Sequence, residues 1–381
     1  MPISFASSPR STLGIEWEIA LVDRDTRELT NIAPEILAAL DPRFPGGTFP
    51  HLTTELLENT VELVTAPHAT VAGATADLRE LARTVQAEAE ARGAALIGSG
   101  SHPFSLWSDQ RHTRSERYER FMERTRWWGR NMLIWGVHMH IGVDRVDRVV
   151  PIMNAMLGYL PHLLALSASS PLWAGEATGY FSNRTLMFQQ LPTAGLPWPV
   201  DDWSEVERVL DDLSKTGIIA EPTEARWDIR PAPRWGTLEV RACDGASTLT
   251  EIGALAALTQ CLTEWLQQAL DRGETLPRLQ PWFVRENKWR AARYGLDARI
   301  IVDAEGRQEP LRDSLAQLVQ DLVPVAEQLE CTVELAEVTR LLSRGTSAER
   351  QLAVYEAGGG GDAGLRAVVD SLVAEFRGGL T

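Results

Sequence analysis

The chain has 381 residues, 44% of them apolar, and a formal net charge of −15. That apolar content can bury a sizeable core, and the acidic balance argues against nucleic acid, whose backbone demands clustered cations. Only three cysteines occur, Cys243, Cys261 and Cys331, with no CxxC pair, which speaks against a thiolate zinc site or a disulfide framework and fits a reduced, cytoplasmic protein.

The first dozen residues have no apolar core or cleavage pattern, so no signal peptide is expected. Residues 13–22 alternate as a strand, with 23–27 as its hairpin turn. Residues 56–65 read as a second strand, ended by Pro67. Helical spacing runs over 70–92 (Val71, Leu78, Leu81, Val85) and stops at Gly93, a suitable C-terminal cap. Residues 94–97 form a short buried strand. The arginine-rich stretch 108–126 reads as a solvated or mobile helix and loop and as a candidate cover for a closed site, and 149–169 as an apolar helix. No apolar run reaches the roughly 20 residues that span a bilayer; the best, 153–166, is short and contains Pro161. Thr248-Leu249-Thr250-Glu251 is a capping box ahead of a helix to about residue 271. Residues 311–330 and 365–376 are further amphipathic helices, the second preceded by the glycines 358–361. The thirteen tryptophans are assigned mostly to core and pocket walls. With no repeat and no Pro/Ser-rich linker, 1–381 reads as one α+β domain with a helical C-terminal part from about 311 packed on it.

Three segments place ionisable side chains two residues apart between apolar ones: Ile15-Glu16-Trp17-Glu18-Ile19, Val137-His138-Met139-His140-Ile141 and Leu238-Glu239-Val240-Arg241-Ala242. Residues i and i+2 of a strand share a face. Three such strands in one sheet would gather carboxylates, imidazoles and a guanidinium on a common surface. A lone Glu-x-Glu is more often a solvated sheet face. A second acidic group at Glu55, Glu58 and Glu62 favours a site, since it runs into the core-like Val61-Glu62-Leu63-Val64. Glu58 and Glu62 share strand parity; Glu55 has the opposite parity and can join them only from a loop or bulge before Leu56. Carboxylates with imidazole and no thiolate suit Mg²⁺ or Mn²⁺ better than zinc. Residues 227–231 and 237–241, joined by Pro233-Arg234-Trp235-Gly236, would bring Asp228, Arg230, Glu239 and Arg241 together, as structural ion pairs or as a phosphate site. No GxxxxGK[ST], GxGxxG or GxSxG occurs, so a P-loop, a Rossmann turn and a serine-hydrolase elbow are absent.

Taken in order, these segments resemble the glutamate–cysteine ligase type 2 family, in its YbdK-type carboxylate–amine ligase branch. The motifs are Gly14-Ile15-Glu16-x-Glu18, the acidic 53–65 segment, Gly136-Val137-His138-x-His140-Ile141-Gly142 and Asn183-Arg184 through Leu191-Pro192. Trp227-Asp228-x-Arg230-Pro231, Thr237-x-Glu239-Val240-Arg241 and Glu286-Asn287-Lys288 through Tyr294-Gly295 complete them. The resemblance implies a catalytic domain like those of glutamine synthetase and the guanidino kinases, a curved antiparallel sheet flanked by helices. Its concave face would hold ATP and two or three divalent ions. It further implies metal positions at Glu16, Glu18, Glu55, Glu62, His138 and Glu239. Arg230 and Arg241 would face phosphates, and Arg184 and Arg293 the substrate carboxylate or acyl phosphate. His140 stands where more distant relatives have asparagine. The implied reaction is ATP-dependent amide formation through an acyl phosphate, with the glutamate γ-carboxylate as acid and cysteine or another amine as acceptor. A phosphotransferase, a metal-dependent amide hydrolase or a nucleotide-binding protein without turnover could use the same face. Small-molecule substrates, no membrane or nucleic-acid partner, and a homodimer or higher homo-oligomer complete the expectation.

Overall fold

Strand β1 (Leu13–Asp23) sets the architecture. Its residues Leu13, Ile15, Trp17, Ile19 and Leu21 are buried on one side, while Glu16 and Glu18 line a cavity on the other. In the computed structural model, which describes residues 3–40 and 51–380, β1 is central to a seven-stranded sheet. The other strands are β2 (Leu52–Thr54), β3 (Thr60–Val64), β4 (Ala94–Ile97), β5 (Gly136–Gly142), β6 (Ile229–Ala232) and β7 (Thr237–Asp244). Their order is β2-β3-β1-β5-β7-β6, antiparallel throughout, and β4 pairs with the last residues of β1.

Register decides which side chains meet, because direct partners in an antiparallel ladder project from one face. Glu18 stands opposite Glu62, Glu16 opposite His138, His140 opposite Glu239, and Glu239 opposite Arg230. Between β5 and β7 the register shifts: Val137 pairs with Cys243 and Met139 with Val240, so His138 alone faces Arg241 and Ala242. This is a β-bulge with the extra residue on β7.

The expected strand over 56–65 is shorter than its pattern. Only Thr60–Val64 is strand, and residues 55–59 form the connection from β2. Parity therefore does not reach Glu58, which turns away to pair with Arg111 at 3.1 Å, while Glu55 is loop-borne as expected.

Helices α1 (Ala33–Leu40) and α2 (Val71–Glu90) follow β1 and β3. The Thr70 hydroxyl caps α2 by accepting from Gly73 N at 3.2 Å, and Gly93 turns the chain at φ +73°. Next come α3 (Glu116–Thr125), α4 (Trp127–Arg130), α5 (Val146–Ser167), α6 (Asn183–Phe188) and α7 (Trp203–Lys215). Helix α8 (Leu249–Asp271) carries the capping box, with Thr248 and Glu251 each accepting from the other's backbone. Helix α9 (Pro281–Tyr294) precedes α10 (Leu311–Gln328), α11 (Thr332–Arg344), α12 (Ser347–Ala357) and α13 (Gly361–Gly379). The C-terminal part thus has four helices rather than two. Its α11 packs on α8 and its α13 on β4, with the Phe376 ring 5.0 Å from Trp17.

Helix α5 has 22 residues, starting three residues earlier and ending two earlier than expected, and by length and composition is apolar enough to cross a membrane. In this fold 72% of its apolar window is buried, against α8, α9 and the sheet. Cys261 and Cys331, 70 residues apart, meet as free buried thiols with sulfurs 3.4 Å apart. Of the tryptophans, Trp127, Trp128, Trp198, Trp282 and Trp289 are exposed, so the expectation of core or pocket walls fails for these five, while Trp235, also exposed, lines a cavity.

Buried His102 ties the segment after β4 to the β1 turn. Its Nδ1 accepts from Phe104 N and Ser105 N at 3.2 and 2.9 Å, and Nε2–H donates to Arg27 O at 2.9 Å. Burial lowers its pKa from 6.5 to about 3, and a proton on Nδ1 would face two N–H donors. The stability it contributes is full above pH 6.5 and falls as pH drops toward 3, by up to about 1.4 kcal/mol per unit. Urea unfolding of wild type and His102→Asn at pH 7, 6 and 5 measures this. Equal slopes for the two proteins would rule it out.

Candidate active site

The polar face of the sheet floors a cavity of about 820 Å³. Into it project Glu16 and Glu18 from β1, Glu62 from β3, His138 and His140 from β5, Arg230 from β6, and Glu239 and Arg241 from β7. Glu55 enters from the β2–β3 connection and Arg184 from α6. Ten charged or imidazole groups singled out in the sequence therefore converge.

Their donor atoms form three overlapping trios, each within 4.8 Å: Glu16, Glu62 and His138; Glu16, His140 and Glu239; Glu18, Glu55 and Glu62. Glu16 is the hinge between trios. Its carboxylate accepts from His138 Nδ1 at 2.8 Å and His140 Nε2 at 3.2 Å. Burial works to raise its pKa, but the two imidazoles outweigh this and hold it well below the usual range. His138 is pushed down to about 4 by burial and then by Arg241, so it is neutral at pH 7. With Nδ1–H on Glu16, its Nε2 lone pair is left on the Glu18 side, 4.0 Å from that carboxylate.

The remaining acids divide by their neighbours. Burial raises Glu18 to about 7, helped by the charge of Glu55. Glu55 is raised by burial and then by Glu16. Glu62 is raised furthest, by burial and by the charges of Glu55, Glu16 and Glu18. Glu239 goes the other way: burial opposes ionisation, but Arg241 and Arg230 hold its pKa far down. Arg230 Nε donates to it at 2.6 Å, and Arg241 Nη1 donates to its other oxygen. His140 is raised, since Glu239 and Glu16 overcome its burial, and its Nδ1 lies 2.9 Å from Thr237 Oγ1. It belongs geometrically to the acidic cluster.

Arg184 is buried, yet its nearest acceptor is the Arg241 carbonyl, at 3.4 and 3.5 Å. Its Nε and that of Arg241 are buried with no hydrogen-bond partner among the described residues. A Cβ added to Gly136 would sit 2.2 Å from Arg184 Nη2, so β5 needs glycine there for this guanidinium to lie where it does.

Two expected members sit elsewhere. Arg293 lies outside the cavity, its guanidinium over Tyr180 and Tyr294 at 5.4 and 5.1 Å while Nη1 donates to Gly179 O. Asp228 leaves the arginines and forms a buried ion pair with Lys288 of α9 at 2.6 Å. Conversely, Arg226 beside β6 lines the cavity without having been singled out by type or spacing, while Arg117, Tyr118 and Phe121 of α3 line it from within the expected cover. The 108–126 stretch thus contains a cavity wall: α3, capped by the Ser115 hydroxyl, buries only Thr125. Arg226 stacks over Phe121 at 5.1 Å, and burial lowers its pKa to about 10.

The family described as glutamate-cysteine ligase family 2 matches residues 12–371. A "Putative glutamate--cysteine ligase 2" of Leifsonia xyli is 55% identical over 378 residues, 99% of both chains. Its namesake in Mycobacterium tuberculosis is 53% identical over 374 residues, 98% of this chain and 97% of that one. Among solved structures, the glutamate–cysteine ligase of Francisella tularensis in complex with AMP superposes with TM-score 0.71 at 15% identity, covering 98% of this chain and 90% of its own. The bifunctional glutathione synthetase of Pasteurella multocida gives 0.67 at 16% identity, covering 96% of this chain and 52% of its own. The antiparallel sheet with flanking helices is thus a fold shared with these enzymes, and the chain belongs to glutamate–cysteine ligase family 2.

Proposed function

We propose that the chain is an ATP-dependent carboxylate–amine ligase that activates the γ-carboxylate of glutamate as an acyl phosphate and transfers it to cysteine or another amine. The observation that carries this is one face on which buried carboxylate trios adjoin two buried guanidinium Nε atoms without partners. Membership of a ligase family and a fold shared with an AMP-bound ligase support it. The trios also fit divalent cations. Glu18, Glu55 and Glu62 are like charges buried together, and their raised pKa values record a repulsion that a cation would relieve. The residues to hold Mg²⁺ or Mn²⁺ are Glu16, Glu18, Glu55, Glu62, His138 and Glu239, with His140 beside them; oxygen-rich donors suit these hard ions. Bound there, the ions would supply positive charge to phosphate oxygens.

The chain's own residues account for the rest. A carboxylate oxygen attacks the γ-phosphorus as its bond to ADP breaks, which requires two anions to meet. Arg241 and Arg184 offset that charge at fixed positions, where preorganised cations lower the barrier most. Arg230 holds Glu239 and through it the Arg241 guanidinium. The amine nitrogen then attacks the acyl carbon, phosphate leaves with the bonding pair, and the amine loses a proton. Arg117, Tyr118 and Phe121 on α3 form the wall that keeps water from the acyl phosphate. We read residues 1–381 as one catalytic unit acting in the cytoplasm on small molecules, as a homo-oligomer.

The test is ADP release with Mg²⁺, glutamate and a panel of amines, with product mass measured alongside. The reading expects an amine-dependent product at the summed mass less one water. ADP release that ignores the amine points to a phosphotransferase, and amine release without ATP to a hydrolase; either overturns the proposal.

A further inference from the structure

Arg184 is held by something other than its side-chain contacts, which are long. The Asp244 carboxylate, fully buried at the end of β7, accepts three hydrogen bonds. Ser169 N and the Ser170 hydroxyl donate to one oxygen at 3.0 and 2.7 Å, and the Ser182 hydroxyl donates to the other at 2.8 Å. Each of those hydroxyls accepts in turn from the first turn of α6. Ser170 Oγ accepts from Arg184 N at 2.9 Å, and Ser182 Oγ from Thr185 N at 3.4 Å. Two serines thus relay the carboxylate to the backbone of the helix that carries Arg184.

We propose that Asp244 is a positioning residue, which through Ser170 and Ser182 fixes the first turn of α6 and so aims the Arg184 guanidinium into the cavity. The geometry is demanding because all three of its partners donate. An asparagine with its carbonyl oxygen on Ser169 N and Ser170 would direct its NH2 at Ser182, whose hydroxyl can accept it and turn its hydrogen to Thr185 Oγ1 at 2.9 Å. The informative variant is Asp244→Ala, which removes the acceptor of all three bonds. Alternative anchors for the same turn are few: Asn183 N donates to Ser170 O at 3.2 Å and Ser182 N to Ala292 O at 3.0 Å, and neither orients residue 184. Because effective catalysis demands positioning to within about an ångström, a shift of that size costs on the order of 10²-fold. The inference rests on the ligase reading for its activity measurements, and one readout is independent of it.

That readout is hydrogen exchange. In Asp244→Ala, and separately in Ser170→Ala and Ser182→Ala should the first variant not fold, amide exchange is expected to accelerate in the peptide spanning 182–188 and not in β5. Unchanged exchange in that peptide overturns the proposal whatever the reaction turns out to be. The kinetic arm uses the full chain and a double-mutant cycle with Arg184→Ala. Asp244→Ala is expected to lower kcat/KM for the acid substrate by about 10²-fold with the KM for ATP within about twofold. Added to Arg184→Ala it is expected to cost almost nothing more, as coupled sites do. Losses that multiply, or a lower Tm with unaltered kinetics, would reduce Asp244 to a packing role. A wild-type chain without amine-dependent turnover fails the ligase reading alone and leaves the exchange result to decide this one.

Discussion

Glu62→Gln is expected to melt at a higher temperature than wild type in the absence of divalent cations, and to have lost turnover by about 10³-fold or more. Glu62 is 8% exposed, and burial together with Glu55, Glu16 and Glu18 raises its pKa well above 4.5. A carboxyl raised in the folded state contributes its stability below the unfolded pKa and loses it as pH climbs through the folded value. At pH 7 the ionised form is therefore a burden on the fold, and neutral glutamine of nearly the same shape relieves it. The same carboxylate belongs to two of the three trios, so its loss removes a ligand that no other residue replaces. Melting curves in EDTA and in Mg²⁺, beside an ADP-release assay, measure both effects. Wild type gains stability from Mg²⁺ by mass action, and the variant gains less. A variant that melts lower than wild type in EDTA would contradict the repulsion on which the site is argued.

Glu239→Gln is expected to do the reverse to stability while abolishing activity as well. Its carboxylate is 1% exposed and is the shared acceptor of Arg230 and Arg241. Removing one partner of a buried ion pair leaves uncompensated charge and costs about 3–5 kcal/mol. Two glutamate-to-glutamine changes on one face should therefore move Tm in opposite directions. Denaturant midpoints for the two variants and wild type should rank Glu62→Gln, wild type, Glu239→Gln. Any other order would mean that the neighbours of each carboxylate do not set its energetics.

That contrast also marks what the sequence could reveal. The β1 pattern, the helical spacing that stops at Gly93 and the Thr248/Glu251 capping box are written within a few residues, so strand, helix and cap were legible where they form. Glu16, Glu18, His138, His140 and Glu239 were legible for the same reason, since strand parity is local and their strands pair in register. Glu58 escaped because a connection, not a strand, precedes Thr60. Asp228 was misassigned because its partner Lys288 lies 60 residues on, in a helix whose own pattern points nowhere. Arg293 carried the motif's charge but is spent on two tyrosine rings at the surface. Arg226 and Arg117 are ordinary arginines in sequence, and only the folding of α3 over the sheet makes them cavity walls. Asp244 was silent because its three donors come from residues 62 to 75 positions away.

The extra residue in β7 has a consequence for how this chain tolerates change in length. Counted from Thr237, Glu239 falls on the polar face; counted back from the paired Gly136, so does Asp244. An odd separation can satisfy both only because the phase resets at Arg241 and Ala242. Deleting Ala242 would close the bulge and leave Glu239, Arg241 and Asp244 on the polar face of a regular ladder, opposite His140, His138 and Gly136. One residue can thus be lost at the bulge without re-addressing the side chains on either side, whereas the same change elsewhere in the strand moves every side chain beyond it to the other face.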